Sequence, residues 1–232
     1  MLHAFSHKKS RLYRRYLGHR DETTEQRVAE EDEITSTLIG PLAFLSPAAI
    51  ATFWGAVVRH RNPEHAFPTG APTHAEMEFW PHNGRIEPDL LVTLTWGAQT
   101  RILLVEFKWR APLSGDEQLH IQWEKYLDEH QRQHALHLFI GLDTSAASNA
   151  LNHRDCWEGK LIMRSWFDIL TAVAAIPMGR GLELQRWIKQ VGECLELLAV
   201  KPFNGFGTNL TKPQLPNVSE HVFFAHPQPP QS

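Results

Sequence analysis

Ile86-Glu87-Pro88-Asp89-Leu90-Leu91-Val92 is an apolar run with an acid set into it, and Ile102-Leu103-Leu104-Val105-Glu106-Phe107-Lys108-Trp109 is a second that closes on Glu-Phe-Lys. Both read as β-strands, being rich in branched aliphatic residues. Alternate side chains of a strand share a face, so Glu106 and Lys108 lie together while Val105 and Phe107 point the other way. The intervening Thr95-Trp96-Gly97-Ala98-Gln99-Thr100 is short enough to make the two strands a hairpin. Such a hairpin brings Asp89, Glu106 and Lys108 into one small volume. Two carboxylates this close are a hard-oxygen donor set for a divalent cation, whose remaining positions a phosphate can fill. The pattern points to metal-assisted phosphodiester cleavage.

Strands that are apolar on both faces are usually buried. A charge within one is costly unless it is paired or bound to a metal. The plainer alternative is a surface ion pair of Glu106 with Lys108 on an edge strand, worth ~0–1 kcal/mol. That alternative leaves Asp89 and its apolar surroundings unexplained.

These residues resemble the PD-(D/E)XK nuclease superfamily, Pro88 and Asp89 supplying the first half of the motif and Glu106, Phe107 and Lys108 the second. A lone Glu-x-Lys is common and says little; two acids at matched ends of an apolar hairpin say much more. The resemblance covers roughly residues 30–174. It implies an α/β fold: a restriction-endonuclease-like core with a mixed central β-sheet flanked by helices, and an N-terminal helical extension. It further implies Mg²⁺, replaceable by Mn²⁺, held by Asp89, Glu106 and the backbone carbonyl of Phe107. Lys108 would orient the attacking water, help to deprotonate it, or stabilise the charge of the pentavalent phosphate. Gln122, on the helix after the lysine, would contact the water, the phosphate or Lys108, with Gln118 one turn before it. Glu31 is the expected additional acid from the preceding helix, where Glu30, Asp32 and Glu33 compete with it. The implied substrate is DNA cut internally, in host defence or mobile-element processing. Cutting both strands needs two sites, so a homodimer is expected, or else a partner subunit that supplies specificity. A reading of another class is a non-catalytic nucleic-acid-binding or assembly subunit that keeps the fold. RNA and DNA ends are the competing substrates.

The 232 residues suffice for one sizeable α/β domain with extensions. A net charge of −3 argues against a globally basic nucleic-acid binder, so positive charge would have to be local. Cys156 and Cys194 do not make a disulfide framework. Residues 1–20 lack the apolar centre of a secretory signal, and no run of about 18 apolar residues is present to span a membrane. A cytoplasmic location is expected.

Three parts are expected: a basic polar arm over residues 1–27, a nuclease-like domain over 28–200, and a Pro/Gly/Phe-rich extension over 201–232 with a disordered end. Within the domain, residues 25–39 read as an acidic helix. Ser46-Pro47 opens a second helix as N-cap and first-turn proline. Strands are expected at 75–80, 85–95 and 101–109, with Asn83-Gly84 as a tight turn between the first two. One long helix is expected over 116–133, then strands at 135–142 and 159–164. A loop or short helix at 143–150 separates these, and helices come after them at 166–175 and 182–200. Glu87 and Glu78 are candidate outlying acids. His130, His134 and His137 fall at spacings that can bind zinc, but the pattern lacks H-E-x-x-H and they read as exposed helix histidines. No phosphate loop, nucleophile elbow or dinucleotide fingerprint occurs.

Overall fold

The structure is a computed structural model that describes residues 30–200, apart from 111, 116, 178 and 180. The expected basic arm, the Pro/Gly/Phe-rich extension and the first residues of the acidic helix lie outside the described residues. At the centre is a five-stranded mixed sheet in sequence order: β1 (His74–Phe79), β2 (Leu90–Trp96), β3 (Gln99–Phe107), β4 (Ala135–Gly141) and β5 (Leu161–Ser165). β1, β2 and β3 run antiparallel, and β3, β4 and β5 parallel. The α-helices of the described residues are α1 (Glu30–Leu38), α2 (Pro47–Arg59), α3 (Gln118–Ile121), α4 (Glu129–His134), α5 (Ser145–His153), α6 (Trp166–Ala174) and α7 (Leu182–Leu197). The fold is therefore α/β, with helices on both faces of a mixed sheet.

The alternation of β3 divides the core. Leu103, Val105 and Phe107 enter one apolar cluster with α2, α6 and α7, while Leu104 enters a second with Leu119, Trp123 and Trp157. Glu106, next but one after Leu104, therefore points into the second layer. Ser46 caps α2 as expected, accepting a hydrogen bond from the Ala49 amide at 3.3 Å. The carbonyls at the far end of α2 have no helical partners; Arg164 of β5 reaches across and donates to those of Val57 and Val58, both at 2.9 Å.

Four expectations are corrected. β2 begins at Leu90, because Pro88 has no N–H to donate to a ladder and the chain instead loops from Trp80 to Asp89. Asn83 and Ile86 close a small turn inside that loop, at 3.0 and 3.1 Å, so Asn83-Gly84 turns the loop rather than joining two strands. β3 ends at Phe107, leaving Lys108 and Trp109 just beyond it. The long helix over 116–133 is broken. α3 runs into a π-helical turn (Gln122–Tyr126), Leu127 is extended, and Asp128 starts α4 with a capping box closed by Gln131. Tertiary packing of Leu119, Trp123 and Leu127 against the sheet overrides the continuous helical period.

The C-terminal end of β4 anchors the chain just beyond β3: the Lys108 amide donates to the Ile140 carbonyl at 2.7 Å. The next residue of β4, Gly141, has no room for a side chain. An added Cβ would lie 2.7 Å from the Asp143 carbonyl oxygen and 3.0 Å from the Phe139 ring. Gly141→Ala is expected to destabilise the domain by about 1–3 kcal/mol, the usual cost of overpacking. Urea unfolding measures this, and an unchanged midpoint would contradict the tight packing at this strand end.

Candidate active site

The β2–β3 register pairs Leu90 with Val105. One further step places Asp89 opposite Glu106, both on the face that carries Leu91 and Leu104. The Phe107 amide donates to Asp89 Oδ2 at 2.7 Å and fixes that carboxyl beside the end of β3. Lys108 folds back onto Glu106, Nζ to Oε1 at 2.8 Å. Its ammonium also lies 3.4 Å from Glu31 Oε2, and Glu31 Oε1 accepts from the Trp109 amide at 2.9 Å. Asp89, Glu106, Lys108 and Glu31 are thus brought together from the ends of β2 and β3 and from α1.

Glu106 is 1 % exposed, and its charge is met by three donors. Besides Lys108, Gln118 Nε2 donates to Oε1 at 2.6 Å and Gln122 Nε2 to Oε2 at 2.7 Å. The two glutamines share one face of α3 and its π-helical continuation, as their spacing requires. Gln122 is buried against the carboxylate rather than turned to Lys108. Behind it, His137 Nε2 meets Gln122 Oε1 at 3.2 Å, and Trp157 Nε1 donates to His137 Nδ1 at 3.0 Å. Beyond the strand end, Trp166 donates to the Lys108 carbonyl at 3.3 Å and stacks on Phe107 with ring centroids 5.8 Å apart.

The electrostatics are unequal. Asp89 keeps some surface exposure, but its carboxyl group lies among protein atoms. That burial pushes its pKa well above the usual carboxylate range, helped by the negative charges of Glu106 and Asp32. Lys108 and the Phe107 amide oppose the rise without cancelling it. For Lys108, burial alone favours the neutral amine; the charge and hydrogen bond of Glu106, with Asp89 and Glu31 behind, outweigh it and raise the pKa above its ordinary value. Without a bound cation, these carboxylates favour Lys108 as an ammonium.

Other expectations sort out by position. Asp32 accepts from the Trp80 indole at 3.1 Å and adds its charge to the Asp89 surroundings, so the acidic helix contributes two acids rather than Glu31 alone. Glu87 pairs with His82 at 3.0 Å, and Glu78 is exposed near Tyr126. His130 and His134 are exposed on α4, as expected, but His137 is a fully buried residue of β4. The helical count that groups His137 with them runs past the end of α4. Nothing in the sequence places His137 and Trp157 near Glu106, since no local pattern joins residues twenty apart through side chains alone.

Asp89 and Glu106 are all-oxygen donors suited to a hard divalent cation. A carboxylate offers about four lone-pair positions, so three donors on Glu106 leave one, and Asp89 accepts a single amide. Among the described residues no group of three or more His, Cys, Asp or Glu is arranged to hold a metal ion. A cation here would rest on the Asp89 and Glu106 carboxylates, whose oxygen chemistry suits it.

No family model matches the chain, and no curated protein matches it. Among solved structures it is similar to the MspJI restriction endonuclease in complex with a 27-mer oligonucleotide, with a TM-score of 0.30 and 11 % identity. The match covers 75 % of this chain and 39 % of that one, so the chain spans about two fifths of that protein's length. No helix among the described residues is long and apolar enough to cross a membrane.

The Asp89 shift has a definite sign. An acid whose folded pKa is raised holds a proton that the unfolded chain has released, so folding loses stability as pH rises through that interval. Asp89→Asn keeps an acceptor for the Phe107 amide and cannot ionise. In EDTA at neutral pH it is expected to raise Tm by about 2–4 °C, the shift that ~1 kcal/mol gives in a domain of this size. The gain should shrink as pH falls into the carboxylate range. Calorimetric melts across pH check this, and a variant no more stable than wild type at any pH would contradict the strained carboxylate.

Proposed function

We propose that the chain is a metal-dependent phosphodiesterase acting on DNA, an endonuclease of PD-(D/E)XK type. The observation that carries this is the Asp89–Glu106 pair itself. Two carboxylates are held side by side in desolvated surroundings, with an ammonium and two amides fixed around one of them. A stabilising core position would rarely be built this way, because unpaired buried charge is costly. Charge strain of this kind concentrates at functional sites.

In this reading Asp89, Glu106 and the Phe107 carbonyl hold Mg²⁺ or Mn²⁺. The bound cation would supply charge neutralisation at the phosphate and activation of water. Asp89 and Glu106 fix its position, and Gln118 and Gln122 prevent Glu106 from turning away. Lys108, kept charged, donates to the attacking water or to a non-bridging phosphate oxygen, and stabilises the negative charge that grows there. It takes no proton. Glu31 holds the Lys108 ammonium from the far side and fixes the Trp109 amide. The lysine is thereby aimed by two carboxylates rather than one.

Cleavage of supercoiled plasmid, in Mg²⁺, Mn²⁺ or EDTA, tests the proposal. Wild type is expected to nick or linearise DNA only with metal. Asp89→Ala and Lys108→Ala should lose at least 10²-fold of that rate, the order of loss seen when one group that stabilises a transition state is removed. Circular dichroism would establish that both variants fold. Wild-type chain that cleaves neither plasmid, linear duplex, single strands nor RNA would favour the non-catalytic subunit.

A further inference from the structure

Behind Glu106 runs a buried line of side chains whose proton positions are fixed from its far end. Trp157, His137, Gln122 and Glu106 are each no more than 3 % exposed. An indole nitrogen can only donate. Because Trp157 Nε1 points at His137 Nδ1 at 3.0 Å, that nitrogen must accept and the proton of the neutral imidazole must sit on Nε2. His137 Nε2–H then donates to Gln122 Oε1 at 3.2 Å. This sets the glutamine amide with its NH₂ toward Glu106 Oε2, at 2.7 Å. The opposite amide orientation would set Oε1 against the carboxylate and the NH₂ against the imidazole N–H, two repulsive contacts in a dry setting.

The far end is itself tied down. Trp123, in the same π-helical turn as Gln122, donates to the Cys156 carbonyl at 3.0 Å, and His120 Nε2 meets the Arg154 carbonyl at 2.8 Å. The Trp157 amide is held by Asp155 at 2.9 Å. Trp123 also lies parallel to His137, with ring centroids 6.0 Å apart. The imidazole is thus fully buried among groups that are themselves held.

We infer that His137 and Trp157 are positioning residues for the metal site: Trp157 selects the His137 tautomer, and His137 locks Gln122 in the orientation that keeps Glu106 aimed at the cation. This rests on the function proposed above. None of these groups touches the substrate or the cation; they act through Gln122. Partners that orient a metal ligand from behind typically cost 10–100-fold in affinity or activity when removed.

Mn²⁺ binding by calorimetry, together with the Mn²⁺ concentration that half-saturates cleavage, tests this in four full-length proteins. His137→Phe keeps a ring and removes both nitrogens; it should weaken Mn²⁺ binding about 10–100-fold. Trp157→Phe removes the indole N–H alone, and should weaken it about 10-fold. His137→Gln, whose Nε2 can donate to Gln122, should recover most of the affinity. The rate at saturating Mn²⁺ should change much less than the half-saturating concentration, which loss of folded protein would not produce. If His137→Phe does not fold, Trp157→Phe decides. Nitrogen-15 spectra of wild type should show His137 as the Nε2–H tautomer. Variants that bind Mn²⁺ as wild type does, or an Nδ1–H tautomer, overturn the relay while leaving the metal site standing. Wild type that binds no Mn²⁺ overturns the metal site and the relay with it.

Discussion

Glu106 places a carboxylate where water does not reach, at the end of a strand whose preceding residues Ile102 to Val105 are apolar, and the surrounding arrangement is shaped by having to satisfy it. A buried charge without partners costs several kcal/mol. Lys108, Gln118 and Gln122 meet it directly. Lys108 needs the chain to leave β3 at Phe107 so that its ammonium can fold back. Gln118 and Gln122 need a helix laid across the sheet face that Leu104 and Glu106 share. The π-helical turn and the extended Leu127 let that helix stop short and allow Asp128 to start the next one. Even β4 takes part, since its Ile140 carbonyl receives the Lys108 amide.

Asp89 shows the opposite condition. It accepts one backbone amide and stands beside a second carboxylate, with Asp32 adding to the repulsion. Glu106 is over-provided and Asp89 under-provided. A fold selected only for stability would reverse this, with an amide in place of Asp89. Stability given up locally at a site held rigid elsewhere is a common mark of function.

How much of this is legible in the sequence depends on the range over which each signal acts. The strands, Ser46 at the start of α2, and the meeting of Asp89, Glu106 and Lys108 are readable, because hydrophobic period, capping and hairpin register are local. The Gln118–Gln122 face is readable for the same reason, although its target, Glu106, is not. The break at Leu127 is hidden by an amphipathic period that continues through it. Yet Asp128 and Gln131 already spell a capping box, a signal that the apolar stripe masks. β2 reads too long in the sequence because the apolar run continues through Pro88, which lacks the donor that a ladder needs. His137 and Trp157 are out of reach. Their roles depend on β4 lying beside β3 and on the chain after α5 returning over Trp123, contacts that only the folded chain creates.

A single experiment bears most directly on whether Asp89 and Glu106 form a divalent-cation site. It is an anomalous difference map from crystals of the protein grown or soaked in Mn²⁺, measured at an energy where manganese scatters anomalously. The expected result is a peak against the Asp89 and Glu106 carboxylates and the Phe107 carbonyl, with Lys108 still paired to Glu106. A map with no peak there, while the protein is ordered and the carboxylates keep the partners described above, would contradict a cation site.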